Sequence, residues 1–470
     1  MYPPAVSVII PTYGGAEHLG QAIQSVLDQT FTDFELLVVN DASPDDTDAV
    51  LNRFQDPRIR YLKHENNRGV ANARKTGVLA SAGAIIAHLD QDDLYHPDKL
   101  RIHVDYLKQH PEIGFTYNSR FELYPSSGAI REILRPSAEL TLADFVLSFP
   151  LAPSVWVQRR EWAVLDEIWE EKTFYRGREI VICGRLYMAG CKFAMIDRVL
   201  NYRRYHKRRI VKNVARQCEA ERICQQIILR DPRCPPEVRT LGDFAASNIY
   251  SMWAYVAYLQ AEVDLGRELL AEAVRLNPEL LNGKPPALVN DLILDSIDDE
   301  GTSHEAVLAA MFKHLPDAHS ALGDYLPWAI SRGYLLQGIR AILWEREAQA
   351  FEYFSQVRIL ACQFDETLLQ WVTSHLLAYE SEFGVVKTRS ALLRICQRLS
   401  GLGGGHIERR LKGYFFANSA FERYAQKRFA ETCSNAFRAF WNAPAYLFNR
   451  GLISALFHSL FGLIVVREAA

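Results

Sequence analysis

Over the first ~125 positions, short apolar runs alternate with apolar residues at helical spacing. Val6-Ser7-Val8-Ile9-Ile10 reads as a strand, and Leu19, Ile23, Val26 and Leu27 line one face of the helix that follows. Glu35 to Val39 is the next strand. Val50, Leu51 and Phe54 mark a second helix, whose first turn suits the acidic residues 45–48. Ile59 to Leu62 and Ile85 to Leu89 are further strands. Pro97 opens a helix that buries Leu100, Val104 and Leu107, and Gly114 to Leu123 is a fifth strand. Alternating β and α elements with short connections predict an α/β fold with a mostly parallel, doubly wound sheet. Ligands of such sheets bind beyond the carboxyl ends of the strands. Thr12, Tyr13, Asp41 and Asp90 fall there.

Residues 126–212 are less regular and rich in Arg and aromatic side chains. After ~215 the pattern is nearly all helical. Residues 245–278 read as a helix pair with Tyr250, Trp253, Leu269, Leu270, Ala273 and Leu276 facing inward. Ala273-Val274-Arg275-Leu276-Asn277-Pro278 resembles the end of a tetratricopeptide repeat, and residues 439–444 echo it. Three regions follow: an α/β domain over 1–212, an all-α, tetratricopeptide-like domain over 213–436, and a hydrophobic, amphipathic helical tail over 437–470. The apolar stretch 451–466 is shorter than the ~20 residues of a membrane-spanning helix. It reads as a helix packed on the bundle or as a peripheral membrane contact.

Composition narrows the classes. The chain has 470 residues, is 49% hydrophobic and 23% charged, and carries a net charge of −3, so no nucleic-acid partner is expected. The eight cysteines include no Cys-x-x-Cys pair and read as reduced thiols of a cytoplasmic protein. Val6–Ile10 is too short for a signal peptide. Gly401–Gly405 lacks the strand context of a phosphate-binding loop and reads as a linker. Arg203, Arg204, Lys207, Arg208, Arg209 and Lys212 form a basic run suited to a phosphate or membrane surface, or to a solvated face.

His88-Leu89-Asp90-Gln91-Asp92-Asp93 carries the strongest chemical signal. Carboxylates this close repel one another, and a hard divalent cation relieves the repulsion. Mg2+ or Mn2+ typically takes one or two protein carboxylates and completes its shell with phosphate oxygens. In isolation, an acidic turn before Pro97 would serve equally well.

The order of motifs decides between them. Val6 to Tyr13, Asp28 to Ser43, Asn67-Arg68-Gly69, Ala73-Arg74-Lys75-Thr76-Gly77 and Asp90 to Asp93 follow one another as in the family-2 inverting glycosyltransferases with a GT-A fold. The resemblance is close over 5–125 and looser over 126–206. It implies a UDP- or GDP-sugar donor, an acceptor hydroxyl in a glycan, lipid or protein, and Mn2+ or Mg2+ as cofactor. Carried onto this chain, it implies that Tyr13 stacks on the base and Asp41 accepts from a base N–H. Thr12 and Gln91 belong to the donor site, and Arg74 lies near the ribose or diphosphate. Asp90 lies near ribose and metal, Asp92 binds the metal, and His206 touches metal or diphosphate. Glu179 stands where the family has its general base. Arg178 replaces the preceding acid and Ile180 the usual Trp; Asn40 replaces one Asp of a pair, and Gly14-Gly15 replaces Asn-Arg and is expected to loosen that loop. These departures motivate an alternative, a catalytically degenerate protein whose helical part binds a partner. A nucleotidyltransferase is a third option.

Overall fold

The computed structural model describes residues 3–124, 128–149, 151–169, 178–204, 213–297, 303–357, 365–403 and 406–468. The chain divides into two compact units, Met1–Tyr325 and Leu326–Ala470.

The first unit is built on a nine-stranded sheet. Its strands are β1 (Val6–Thr12), β2 (Phe34–Asn40), β3 (Ile59–Lys63), β4 (Ile85–His88), β5 (Leu94–Tyr95), β6 (Phe115–Leu123), β7 (Ile130–Leu134), β8 (Trp156–Arg159) and β9 (Phe193–Arg204). The order is β3-β2-β1-β4-β8-β6-β9-β5, with β7 on β6. The predicted strands β3, β2, β1 and β4 are parallel neighbours. β8 then inserts antiparallel to both β4 and β6, and β6 pairs parallel with β9. The sheet is therefore mixed: six strands share one direction, but β8 stands between the two parallel groups.

The helices set among these strands, in chain order, are α1 (Ala16–Leu27), α2 (Thr47–Leu51), α3 (Val70–Ala80), α4 (Lys99–Gln109), α5 (Leu142–Leu147), α6 (Arg160–Ala163) and α7 (Arg178–Met188). Alternation along β1 sends Val8 and Ile10 to one face, where they pack with Leu19, Ile23 and Val26 of α1 and Leu100, Val104 and Leu107 of α4. Ile9 goes to the other face, with Val78 of α3 and Ile182, Cys183 and Leu186 of α7. Helices thus cover both faces. α3 lies tight on β1, because a Cβ on Gly77 would come within 2.5 Å of Ile9.

The sheet-bearing unit runs well past the 212/213 boundary drawn from composition. Leu142 and Val146 of α5 and Ile180 of α7 share a buried cluster with Ile228, Cys234, Val238 and Ala245. Gln225 donates to the Val146 carbonyl at 2.8 Å and Asn248 to that of Leu147 at 3.0 Å. Apolar contact and buried hydrogen bonds tie the first helices to the sheet domain, a link that composition does not reveal.

The helical parts repeat one hairpin. Helices 242–259 and 263–276, 326–343 and 347–355, and 406–425 and 429–442 are each joined by three residues. The middle residue is left-handed each time: Ala261 (φ 59°), Glu345 (φ 57°) and Lys427 (φ 58°). The next residue's N–H closes onto the carbonyl five back, Glu262 to Ala257, Arg346 to Ala341 and Arg428 to Arg423, at 2.8–2.9 Å. Seven positions before each turn stands a small residue, Ala254, Gly338 or Ala420, and eleven before it an aromatic one, Tyr250, Tyr334 or Phe416. The Asn277-Pro278 and Ala443-Pro444 echoes also share a geometry, for each ends a helix and begins a 3-10 turn.

The second unit, helical throughout its elements, holds the buried ion pair Arg423–Glu380. The Gly401–Gly405 stretch expected as a linker is helical as far as Gly403, while 404–405 lie outside the described residues. The tail forms a helix over Arg450–Glu468, with Trp441 and Phe448 ahead of it almost fully exposed. Among the described residues no helix is long and apolar enough to cross a membrane. The described cysteines, Cys183, Cys191, Cys218, Cys224, Cys234, Cys396 and Cys433, are buried and form no disulfide with one another; Cys362 lies outside the described residues.

At the end of the sheet away from the strand termini that carry the motifs, Glu35 accepts from Ser7 Oγ and the Ala82 N–H, each at 2.6 Å, and pairs with Arg60 at 2.6 Å. Burial pushes its pKa up, but these donors outweigh it, and the carboxyl sits below its ordinary 4.5. A depressed native pKa stabilises the fold above the unfolded value and loses that contribution as pH falls through the native one. Glu35→Gln should therefore lower the urea midpoint at pH 7, and the gap to the parent should shrink as the pH drops below about 4.5. A gap that stays constant as the pH falls below about 4.5 would refute the assignment.

Candidate active site

The carboxyl ends of β1, β2 and β4 lie side by side and stay joined beyond the strands: Asp41 N–H donates to Thr12 O at 2.9 Å and Leu89 N–H to Ile9 O at 3.0 Å. Every motif residue in the described chain reaches this edge from its own element.

Arg74, on α3, is 2% exposed. Its Nη2 donates to Asp90 Oδ1 at 2.9 Å and its Nη1 to Glu179 Oε1, on the first turn of α7, at 3.3 Å. One guanidinium thus bridges residues 16 and 105 positions away. Its Nε is buried with no hydrogen-bond partner among the described residues. Arg178, where the family has an acid, is itself buried, with its guanidinium over the Trp169 ring at 5.6 Å.

Asp41 is buried, and both its oxygens are engaged. Oδ1 accepts from Arg68 N–H at 2.9 Å and lies 2.6 Å from His64 Nδ1; Oδ2 accepts from Gly69 N–H at 2.7 Å. His64 Nε2 meets Thr76 Oγ1 at 2.9 Å. The carboxylate organises the 64–69 loop ahead of α3, so that three of its acceptor positions are filled from within the chain. Asn40, the departure from the acidic pair, donates to Asp48 and to Tyr61. Tyr13 stands 48% exposed at the rim.

Gln91 points away from the aspartates and toward β1. Its Oε1 accepts from Thr12 Oγ1 at 2.6 Å and from Tyr13 N–H at 2.9 Å, and its Nε2 donates to Tyr13 O at 3.3 Å. A Cβ on Gly15 would lie 2.2 Å from that Oε1. Gly15 does not loosen the loop, as its sequence context predicts; it clears the space in which Gln91 holds it.

The turn is also gripped from the opposite flank. Ser154, just ahead of β8, accepts from Asp90 N–H at 3.0 Å and donates to Asp93 Oδ2 at 2.6 Å. Its carbonyl accepts from Asn201 Nδ2 at 2.7 Å, and Asn201 in turn accepts from the buried Lys99 at 2.8 Å. Asp93 faces inward, while Asp92 is half-buried. Arg204, near the end of β9, donates to the Asp92 carbonyl at 2.8 Å. Burial, together with the charges of Asp92 and Glu179, raises the Asp90 pKa against the pull of Arg74. Burial and the neighbouring aspartates push Asp93 well up. The neighbouring carboxylates raise one another's pKa, a repulsion of the kind that a cation relieves.

Among the described residues no three His, Cys, Asp or Glu side chains form a closed metal cage. The donor set fits a hard ion held by one or two carboxylates and completed by ligand oxygens rather than an all-protein site. His206 and residues 205–212 of the basic run lie outside the described residues. Sequence reasoning missed Ser154 and His64, and gave Thr76, inside a quoted motif, no role of its own; only the pairing of β8 with β4 brings Ser154 to the turn.

Residues 7–203 match the family model described as Glycosyl transferase family 2. The chain is 34% identical over 131 residues to the Escherichia coli UDP-Glc:alpha-D-GlcNAc-diphosphoundecaprenol beta-1,3-glucosyltransferase WfgD, covering 28% of this chain and 51% of that protein. It is 40% identical over 98 residues to the succinoglycan biosynthesis protein ExoO of Rhizobium meliloti, covering 21% and 28%. The chain spans between about a fifth and a half of the length of such curated relatives. Solved structures similar to it include S. aureus TarS 1-349 with UDP-GlcNAc, at 15% identity and a TM-score of 0.43 over 75% of this chain and 89% of that one. A Pyrobaculum calidifontis mannosyltransferase with GDP-Man and Mn2+ has 17% identity and a TM-score of 0.42, over 75% and 86%.

Removing the Ser154 hydroxyl leaves the Asp90 N–H and the Asp93 carboxyl without their buried partner. Ser154→Ala should cost about 1–3 kcal/mol in chemical denaturation. An unchanged midpoint would show that the turn does not depend on this hydroxyl.

Proposed function

Residues 7–203 are a glycosyl transferase family 2 domain, and from that premise we propose that the chain moves a sugar, with inversion, from a UDP- or GDP-linked donor to an acceptor hydroxyl. The observation that carries this reading is the single guanidinium of Arg74 joining Asp90 to Glu179, since it gathers the donor-side and acceptor-side carboxylates at one sheet edge.

Tyr13, exposed at the rim, offers a face for the nucleotide base. Arg74 neutralises part of the diphosphate's charge, and its buried Nε, which has no hydrogen-bond partner among the described residues, offers one more N–H for this. Asp92, with Asp90 beside it, would hold Mg2+ or Mn2+, which supplies charge stabilisation to the departing nucleoside diphosphate. Glu179, 21% exposed along its side chain, takes the proton of the acceptor hydroxyl as the new bond forms. Inversion follows when base and leaving group sit on opposite sides of the anomeric carbon.

A thermal-shift panel of nucleotide sugars, with and without Mn2+, should show stabilisation by one donor class that depends on the metal. Asp92→Asn should abolish both that dependence and turnover while the protein stays folded. Full activity in this variant would refute the metal role. Glu179→Gln should slow transfer by roughly a hundred- to ten-thousand-fold with donor affinity near that of the parent. An unchanged rate would move the base elsewhere.

A further inference from the structure

The central residue of Asp90-Gln91-Asp92 does not face the site that its neighbours form. It reaches across to the loop after β1 and meets it at three polar atoms: Thr12 Oγ1, Tyr13 N and Tyr13 O. A primary amide that both accepts from and donates to one residue's backbone fixes that residue's position as well as its distance. Gly15 completes the fit, since any side chain there would run into the amide oxygen.

We propose that Gln91 is a positioning residue, a clip that sets the base-stacking Tyr13 at a fixed place relative to the Asp90/Asp92 carboxylates. The inference rests on the glycosyltransferase reading of the site. It goes beyond that reading by assigning Gln91 to the nucleotide's base end, through Tyr13, and not to direct contact with the donor. Tyr13 needs such a clip because its ring is half in solvent and little packing holds it. The backbone after it is held separately, by Gly14 N–H on Ser43 Oγ at 3.2 Å and Ala16 N–H on Asp45 Oδ2 at 3.0 Å, so that Gln91 is the anchor at Tyr13 itself. With the clip closed, the base platform and the phosphate end are parts of one rigid turn, and the entropy of ordering Tyr13 is spent in folding rather than in binding.

A clip of this kind acts on a ligand that spans both ends and is indifferent to one that occupies only the phosphate end. Isothermal titration of the full chain with UDP or GDP in the presence of Mn2+, and separately with inorganic pyrophosphate and Mn2+, makes the distinction. Gln91→Leu removes the three hydrogen bonds at nearly constant size, and Gly15→Ala drives the amide out from the loop side. Each should weaken nucleoside diphosphate binding roughly tenfold, as expected for losing one or two net hydrogen bonds. Pyrophosphate affinity should stay within about twofold of the parent. In transfer assays the same variants should raise the donor KM more than they lower kcat. Equal losses for both ligands, or no loss for either, would overturn the proposal, and agreement between the two variants guards against one of them merely misfolding. If the parent binds neither nucleoside diphosphate, the glycosyltransferase reading itself fails, a result distinct from parent-like binding by the variants.

Discussion

A buried arginine is costly unless its charge is answered, and in this molecule Arg74 is answered by two carboxylates from different parts of the chain. That requirement shapes what surrounds it. α3 must lie close enough on β1 for the guanidinium to reach the end of β4, which Gly77 permits by packing directly on Ile9. α7 must present Glu179 from its first turn, which its apolar face against Ile9, Ile86 and Phe115 arranges. The site is the meeting point of two helices that are held on one face of the sheet by ordinary core packing.

Besides the ion pair of Arg74 with Asp90 and the bond from Arg204 to the Asp92 carbonyl, two uncharged groups hold the acidic turn. The Gln91 amide ties it to β1 and the Ser154 hydroxyl ties it to the segment before β8.

Much of this edge was legible in the sequence. Strands β1 to β4 follow from apolar runs of strand length, and the motif residues fall at their carboxyl ends, as the topology of such sheets demands. What could not be read has physical reasons. α3 is rich in Ala and Gly, so it shows little amphipathic contrast, and its helix emerges only from close packing on β1. β8 and β9 lie in a stretch crowded with Arg and aromatic residues, where charges buried in ion pairs mask the alternation of a strand. Arg203 of β9, for instance, pairs with the buried Glu122 of β6. Ser154 carries no local signal at all. In the helical part, sequence gave two echoes of one repeat. The third hairpin, turning at Glu345, is recognisable only by its left-handed residue and by the small and aromatic positions before it.

The placing of β8 has a consequence for how the molecule comes into being. β8 sits between β4 and β6, and β6 in turn needs β9, whose last residues stand beside the acidic turn. Nothing made before residue 204 can finish the edge, because the strand that separates the two parallel groups and the strand that closes beside the turn both arrive late. The acidic turn is therefore completed only when β8 and β9 are present, by contacts of high sequence separation, the kind that form slowly in folding.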